Sequence, residues 1–413
     1  MAMIGKFDKT KHLRSSRPGD QDTADWPMLL ASMMSKAYAN PKATGNLRQA
    51  HMRDLSRALW GAWATPDCLG IGESKMLYSK GLSAPGRSAR LFKPTSAAPG
   101  APLVVMLHGC MQDARSFSKL TRMDEIAKAE GFFVLYPDQE SSANAMQCWN
   151  WNSAQNQTRL GGEPESLASL ISQAQALCGT GPERTRVAGI SAGGALAATM
   201  AHLYPELLGA VAVVAGPAPF VAQNLPQALG AMARGPATGS RHAIEQQAEA
   251  AGLRQTSPRK LPMLIVQGMA DETVNPKNAL MQERSALALN EALAQSIPNG
   301  AYPKKESSSG RHGRARIWRD EDGSVVACVV SPSSLGHAWS GGHPSEPFSQ
   351  TGFDQSRLAL DFFEAAESGQ WDAFEPKALA DKLWGHREAL ASSSLLSAPP
   401  PPSSAALFSP RPA

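Results

Sequence analysis

Between residues 88 and 330 short apolar runs recur, each divided from the next by a stretch of helical spacing or a turn-rich loop. Leu103–Leu107, Phe132–Tyr136, Ala210–Val214 and Met263–Val266 contain no polar residue. A strand that is apolar at every position has no solvent face, so it belongs in a parallel sheet covered by helices on both sides. The chain is therefore expected to be doubly wound α/β with a mostly parallel sheet. Arg90–Phe92 reads as an edge strand, Met123–Ala129 and Glu165–Ala176 as helices, and Asp322-Gly323 as the hairpin turn feeding a last strand over Val325–Val330.

One segment is chemically more specific. Thr185–Ala188 is a brief buried strand, Gly194–Met200 a small-residue helix, and Gly189-Ile190-Ser191-Ala192-Gly193 joins them. In a strand–turn–helix setting this Gly-x-Ser-x-Gly pattern becomes a nucleophile elbow, in which the serine occupies a strained backbone conformation and side chains at the flanking glycines would clash with strand or helix. Ser191 is the candidate nucleophile.

Composition narrows the remaining classes. At 413 residues with 42% hydrophobic content, the chain can fold one large α/β domain with extensions. The net charge is +4 and charged residues make up only 18%, without a basic stripe carrying interleaved aromatics, so nucleic acid is not an expected partner. The basic cluster Arg311–Arg316 follows a serine run and is expected to be a solvated loop entering a strand. No apolar run reaches the length of a membrane span. Residues 1–25 are polar and lack the continuous apolar centre of a secretory signal, which sets a cytoplasmic location as the default. The 5 cysteines are too scattered for a disulfide scaffold, and none has metal-ligand spacing.

The organisation read from these patterns is a polar segment over 1–25, a helical arm over 26–85, a catalytic domain over 86–365, a helical extension over 366–391 and a low-complexity Pro/Ser tail over 392–413. Within the catalytic domain, residues 217–260 are rich in Ala, Gln and Gly and fall between two sheet strands as a lid-like insertion.

A serine hydroxyl needs a base, and the base needs an acid to hold its tautomer. In α/β-hydrolases these partners follow the serine in the order acid, then histidine, each on a loop after a strand. Asp271 follows the run ending at Val266, and His337 lies past the final strand. Glu272 is the alternative acid and His343 the alternative base, whereas Asp322 is consumed by a turn, and His51, His242 and His312 lie in the arm, the insertion and a polar loop. Charge developing on a substrate oxygen requires backbone N–H donors. Ala192, directly after the nucleophile, and Cys110, in His108-Gly109-Cys110 after the first buried strand, are expected to supply them, with His108 a structural loop residue.

Taken in order, His108-Gly109-Cys110, Tyr136-Pro137-Asp138-Gln139, Cys148-Trp149-Asn150-Trp151, Gly189–Gly194, Asp271–Val274 and Gly336–Gly342 resemble the poly(3-hydroxybutyrate) depolymerase family of esterases, a group that includes feruloyl and acetylxylan esterases. The resemblance spans about residues 86–365. It implies an α/β-hydrolase fold, a Ser191–Asp271–His337 triad, no cofactor and no metal, and hydrolysis of carboxylic esters, with poly- or oligo-(3-hydroxybutyrate) esters as the first substrate class and feruloyl or acetylxylan esters as the alternative. The partner is then a small or polymeric ester, with a polymer granule surface as a further candidate; in a non-enzymatic alternative the arm binds the granule and the hydrolase fold is a scaffold. Trp149, Trp151 and Trp339 sit beside motif residues and are expected either to wall the substrate pocket or to pack in the core. If the loops carrying Cys110 and Cys148 both ring the site, a disulfide between them is an alternative to two free thiols.

Overall fold

The computed structural model describes residues 72–79, 86–236, 259–294 and 304–384. The apolar pattern of the expected arm over 26–63, the second half of the insertion and the tail over 392–413 lie outside the described residues.

Ten strands form one sheet: β1 (Gly72–Tyr78), β2 (Ser88–Pro94), β3 (Leu103–Leu107), β4 (Phe133–Asp138), β5 (Thr185–Ile190), β6 (Ala210–Val214), β7 (Met263–Val266), β8 (Lys304–Gly310), β9 (Gly313–Arg319) and β10 (Val325–Pro332), in the order β1-β2-β4-β3-β5-β6-β7-β10-β9-β8. From β4 to β10 all neighbours run parallel, and antiparallel hairpins close both edges. Alternate side chains of the uninterrupted apolar strands feed two cores. Leu103, Val105 and Leu107 enter one, while Val104 and Met106 enter the other. Helices Gly162–Cys178 and Ala192–Leu203 pack on the first face; Ala114–Thr121, Met123–Glu130 and Gln355–Ser368 pack on the second.

Two boundaries differ from expectation. The stretch assigned to a helical arm through residue 85 includes β1, paired antiparallel with β2 from Gly72↔Pro94 to Tyr78↔Ser88. Glu73 and Lys75 face solvent there while Ser74 and Met76 are half-buried, the two-residue period of an edge strand. The extension over 366–391 does not begin as a separate element, because the helix Gln355–Ser368 crosses the boundary. Trp371, Phe374, Leu379, Leu383 and Trp384 then pack into the second core. The basic cluster is a turn that enters a strand, as expected. Arg311 and His312 form the turn between β8 and β9, and Arg316 lies within β9. Arg316 Nη2 donates to Glu283 Oε2 at 2.6 Å and Trp318 Nε1 to Glu283 Oε1 at 2.6 Å, so strand pairing and a buried carboxylate order this segment. β8, of sequence Lys-Lys-Glu-Ser-Ser-Ser-Gly, carries no apolar signal and was not expected.

The described part of the insertion contains the helix Leu225–Arg234, capped by Asn224 and fastened to the helix Lys277–Ala294 by Asn278 Nδ2, which donates to Ala231 O at 2.9 Å.

A buried histidine makes stability depend on pH. His202, on the helix that begins at the elbow, is fully buried, with Nε2 2.6 Å from Ser285 Oγ and Nδ1 unpartnered among the described residues. Burial lowers its pKa to about 4. The folded protein therefore keeps the ring neutral while the unfolded chain, with an ordinary imidazole, takes up a proton below about pH 6.5. The stability this confers is complete above that pH and is lost as pH falls toward 4. Urea unfolding of the wild type at pH 7.5 and 4.5 is expected to show about 2–3 kcal/mol more acid loss than His202→Gln; equal losses would exclude the assignment.

Candidate active site

The carboxyl ends of the parallel strands form one rim, and the site is assembled there. β5 ends at Ile190, and Ser191 follows with φ 57° and ψ −123°, a conformation that a side-chain-bearing residue adopts only when its surroundings impose it. Ser191 N–H donates to Val214 O at 2.9 Å, and its carbonyl accepts from Ala195 N–H at 3.0 Å, so β6 and the new helix hold both sides of the turn. A Cβ on Gly189 would stand 2.3 Å from Gly193 O, and one on Gly193 would stand 2.2 Å from Leu107 O. Only hydrogen fits at either position.

Asp271, after β7, and His337, after β10, are brought together. His337 Nδ1 lies 2.9 Å from Asp271 Oδ2, and both side chains are buried. A carboxylate oxygen accepts, so Nδ1 carries the proton and Nε2 is bare. Nε2 is itself buried and has no hydrogen-bond partner among the described residues; it is not bonded to the Ser191 hydroxyl in this structure. The second carboxylate oxygen, Oδ1, accepts from Thr273 N–H at 2.9 Å and Val274 N–H at 2.8 Å. Glu272 is exposed and His343 hydrogen-bonds Ser345, so neither alternative joins this pair. Asp322 accepts from Ser324 N–H in the hairpin turn, as expected.

Gln267 completes the acid's environment and was missed from sequence. Its buried Nε2 donates to Asp271 Oδ2 at 2.9 Å and to Val274 O at 3.1 Å. A glutamine directly after an apolar run reads as the start of a loop, so nothing local marks its partner four residues on.

The loop after β3 stands opposite. Gly109 N–H donates to Gln112 Oε1 at 2.8 Å, which turns the loop. The Cys110 and Ala192 amides make no hydrogen bond with another described residue. His108 is fully buried: its Nε2 accepts from Gln139 N–H at 3.1 Å, which places the proton on Nδ1 for donation to Gly109 O at 2.8 Å. Burial lowers its pKa, and a neutral structural ring is the result. Cys110 and Cys148 form a disulfide that ties this loop to the one after β4.

The tryptophans are not pocket walls. Trp339 is fully buried against Phe117 and donates through Nε1 to Ser356 Oγ at 3.0 Å. Trp149 is 1% exposed with Nε1 donating to His108 O at 3.1 Å, and Trp151 is buried in the first core. Large aromatic surface is driven inward, and each indole N–H of Trp149 and Trp339 finds an acceptor there. They brace the site loops from beneath.

Residues 87–328 match the family model described as esterase PHB depolymerase. The chain belongs to this family. It is 26% identical over 293 residues to poly(3-hydroxyalkanoate) depolymerase C of Paucimonas lemoignei, an alignment covering 69% of this chain and 66% of that protein. Against feruloyl esterase B of Neurospora crassa it is 29% identical over 224 residues, covering 51% and 74%. Acetylxylan esterase A of Talaromyces purpureogenus is 26% identical over 213 residues, and the alignment covers 50% of this chain and 54% of that enzyme. Among solved structures, the acetyl xylan esterase from Aspergillus awamori superposes with a TM-score of 0.56 at 19% identity, over 70% of this chain and 99% of that one. The fold is that of an α/β-hydrolase. No described helix is long and apolar enough to cross a membrane.

Proposed function

We propose that this member of the family is a serine carboxylic ester hydrolase working through an acyl-serine intermediate. His337 Nε2 accepts the Ser191 proton as Oγ attacks the ester carbonyl, while the Cys110 and Ala192 N–H groups stabilise the oxyanion. Collapse expels the alcohol, protonated by His337. Water, deprotonated at the same nitrogen, then attacks the acyl carbon and releases the acid with Ser191 restored. The observation that carries this reading is the buried Asp271–His337 pair, whose bare nitrogen lies on the rim where a strained serine opens a helix.

Labelling with a fluorophosphonate probe followed by peptide mapping tests it, with modification at Ser191 expected. If the folded wild type resists the probe, the reading fails and the granule-binding alternative is revived. Hydroxybutyrate oligomers, in keeping with depolymerase C, are the first substrate class to assay, and feruloyl or acetylated sugar esters the second. The Cys110–Cys148 disulfide favours an oxidising compartment over the cytoplasmic default.

Gln267 acts as a positioning residue for the acid. Gln267→Leu removes a hydrogen bond to a charged group and is expected to lower kcat/KM about 10- to 100-fold. Steady-state rates across a pH series check this, and a variant equal to wild type throughout would remove the role.

A further inference from the structure

Glu163 lies in the first turn of the helix Gly162–Cys178, where an acidic residue ordinarily faces water and complements the helix end. Here it is buried, and its carboxylate turns to the neighbouring loops. Oε1 accepts from Gln139 Nε2 at 2.5 Å and from Asn150 Nδ2 at 2.7 Å, and Oε2 accepts from Asn150 N–H at 2.8 Å. Arg87 Nη2, equally buried, stands 3.5 Å from Oε1. A buried ion pair contributes little net stability compared with apolar packing of the same volume, so stability alone does not account for this one. Its partners do.

Gln139 and Asn150 both lead to Cys110. Gln139 donates its backbone N–H to His108 Nε2 at 3.1 Å, two residues before the proposed oxyanion donor, and its side chain also donates to Cys148 O at 3.0 Å. Asn150 lies two residues beyond Cys148, whose sulfur is bonded to that of Cys110. The two loops meet again where Met111 N–H donates to Met146 O at 2.7 Å. Met111 and Gln147, each beside one of the paired cysteines, have φ of 60° and 51°, conformations that side-chain-bearing residues keep only where their surroundings impose them. A carboxylate that draws donors from both loops is such a surrounding. Because every group converging on it is a donor, only an acceptor at both oxygens fits; an amide there would turn its own N–H₂ toward one of them.

We infer that Glu163 is a positioning residue for the oxyanion loop, fixing the Cys110 N–H where charge develops on the substrate oxygen. The inference rests on the esterase reading above and extends it to a group whose hydrogen bonds go to the loops and not to the triad. An oxyanion donor acts only within a narrow distance of that oxygen, so a small shift of the loop is felt in the rate.

The test compares kcat/KM for p-nitrophenyl acetate and p-nitrophenyl thionoacetate in the wild type, Glu163→Gln and Gln139→Met, each as the full chain. Sulfur is larger and a weaker acceptor than oxygen, so the thionoester gains less from the N–H donors, and disturbing them lowers the oxygen-ester rate selectively. In Glu163→Gln the acetate kcat/KM is expected to fall about 10- to 100-fold, and the oxygen-to-sulfur ratio about tenfold, because the donor is displaced rather than deleted. This variant also leaves Arg87 buried beside a neutral group and is expected to lower the unfolding midpoint. A smaller folded fraction scales both rates alike and leaves their ratio untouched, which separates positioning from a structural role. Gln139→Met keeps the Arg87–Glu163 pair and the backbone bond to His108 while deleting the side-chain bonds to Glu163 and Cys148, and is expected to lower the ratio about threefold. An unchanged ratio in folded Glu163→Gln overturns the inference; where that variant does not fold, an unchanged ratio in Gln139→Met overturns it. Fluorophosphonate labelling of the wild type reports separately on the hydrolase: Ser191 labelled with an unchanged ratio in the variant defeats the role of Glu163 alone.

Discussion

Ser191→Ala is expected to lower kcat for ester hydrolysis by about 10⁴- to 10⁶-fold while leaving the fold intact, because loss of the nucleophile disables the triad as a unit and leaves only the oxyanion donors and binding to accelerate attack by water. Alanine deletes one oxygen from a buried site, and the positive φ at 191 is imposed by Val214, Ala195 and the close approach of Gly193 to Leu107 in either protein. Unfolding midpoints of the two proteins should therefore nearly coincide. Turnover of p-nitrophenyl acetate within tenfold of the wild type would assign the chemistry to another residue.

Asp271→Asn is expected to cost about 10⁴-fold in kcat, by a different route. The carboxylate now accepts from His337, Gln267, Thr273 and Val274. An asparagine keeps the Thr273 and Val274 N–H bonds by directing its oxygen to them, which turns its amide N–H₂ toward His337 and Gln267. The histidine can then accept only at Nδ1, so its proton moves to Nε2 and the base is disabled. Single-turnover acylation at pH 7.5 measures this, and a loss smaller than tenfold would show that the acid merely packs against the ring. Ring ¹⁵N shifts of His337 give an independent readout of the exchanged tautomer.

Much of the architecture could be read from residues 88 to 330, since a strand buried on both faces must be apolar throughout, and β3, β6 and β7 begin and end where their apolar runs do. The elbow was legible for a similar reason: the glycines at 189 and 193 are demanded by contacts within a few residues or with the adjoining strand. Edge strands were not. β1 is half polar and β8 carries no apolar residue, and hydrogen bonds to β2 and β9 define them more than any period of their own. The tryptophans beside the motifs misled because proximity in sequence to a catalytic residue says nothing about which side of the loop a ring occupies; the second core claimed Trp339 and the His108 carbonyl claimed Trp149.

By itself the order of residues determined a parallel sheet with helices on both faces, a serine at a sharp turn, and an acid and a histidine after later strands, because apolar runs, glycine contacts and chain order are local or one-dimensional properties. Only the tertiary structure decided that Asp271 and not Glu272 faces His337, that Gln267 shares the carboxylate and that Cys110 meets Cys148. Each of these is a distance between groups far apart along the chain or a choice of facing direction, and both are set when the sheet closes its two cores.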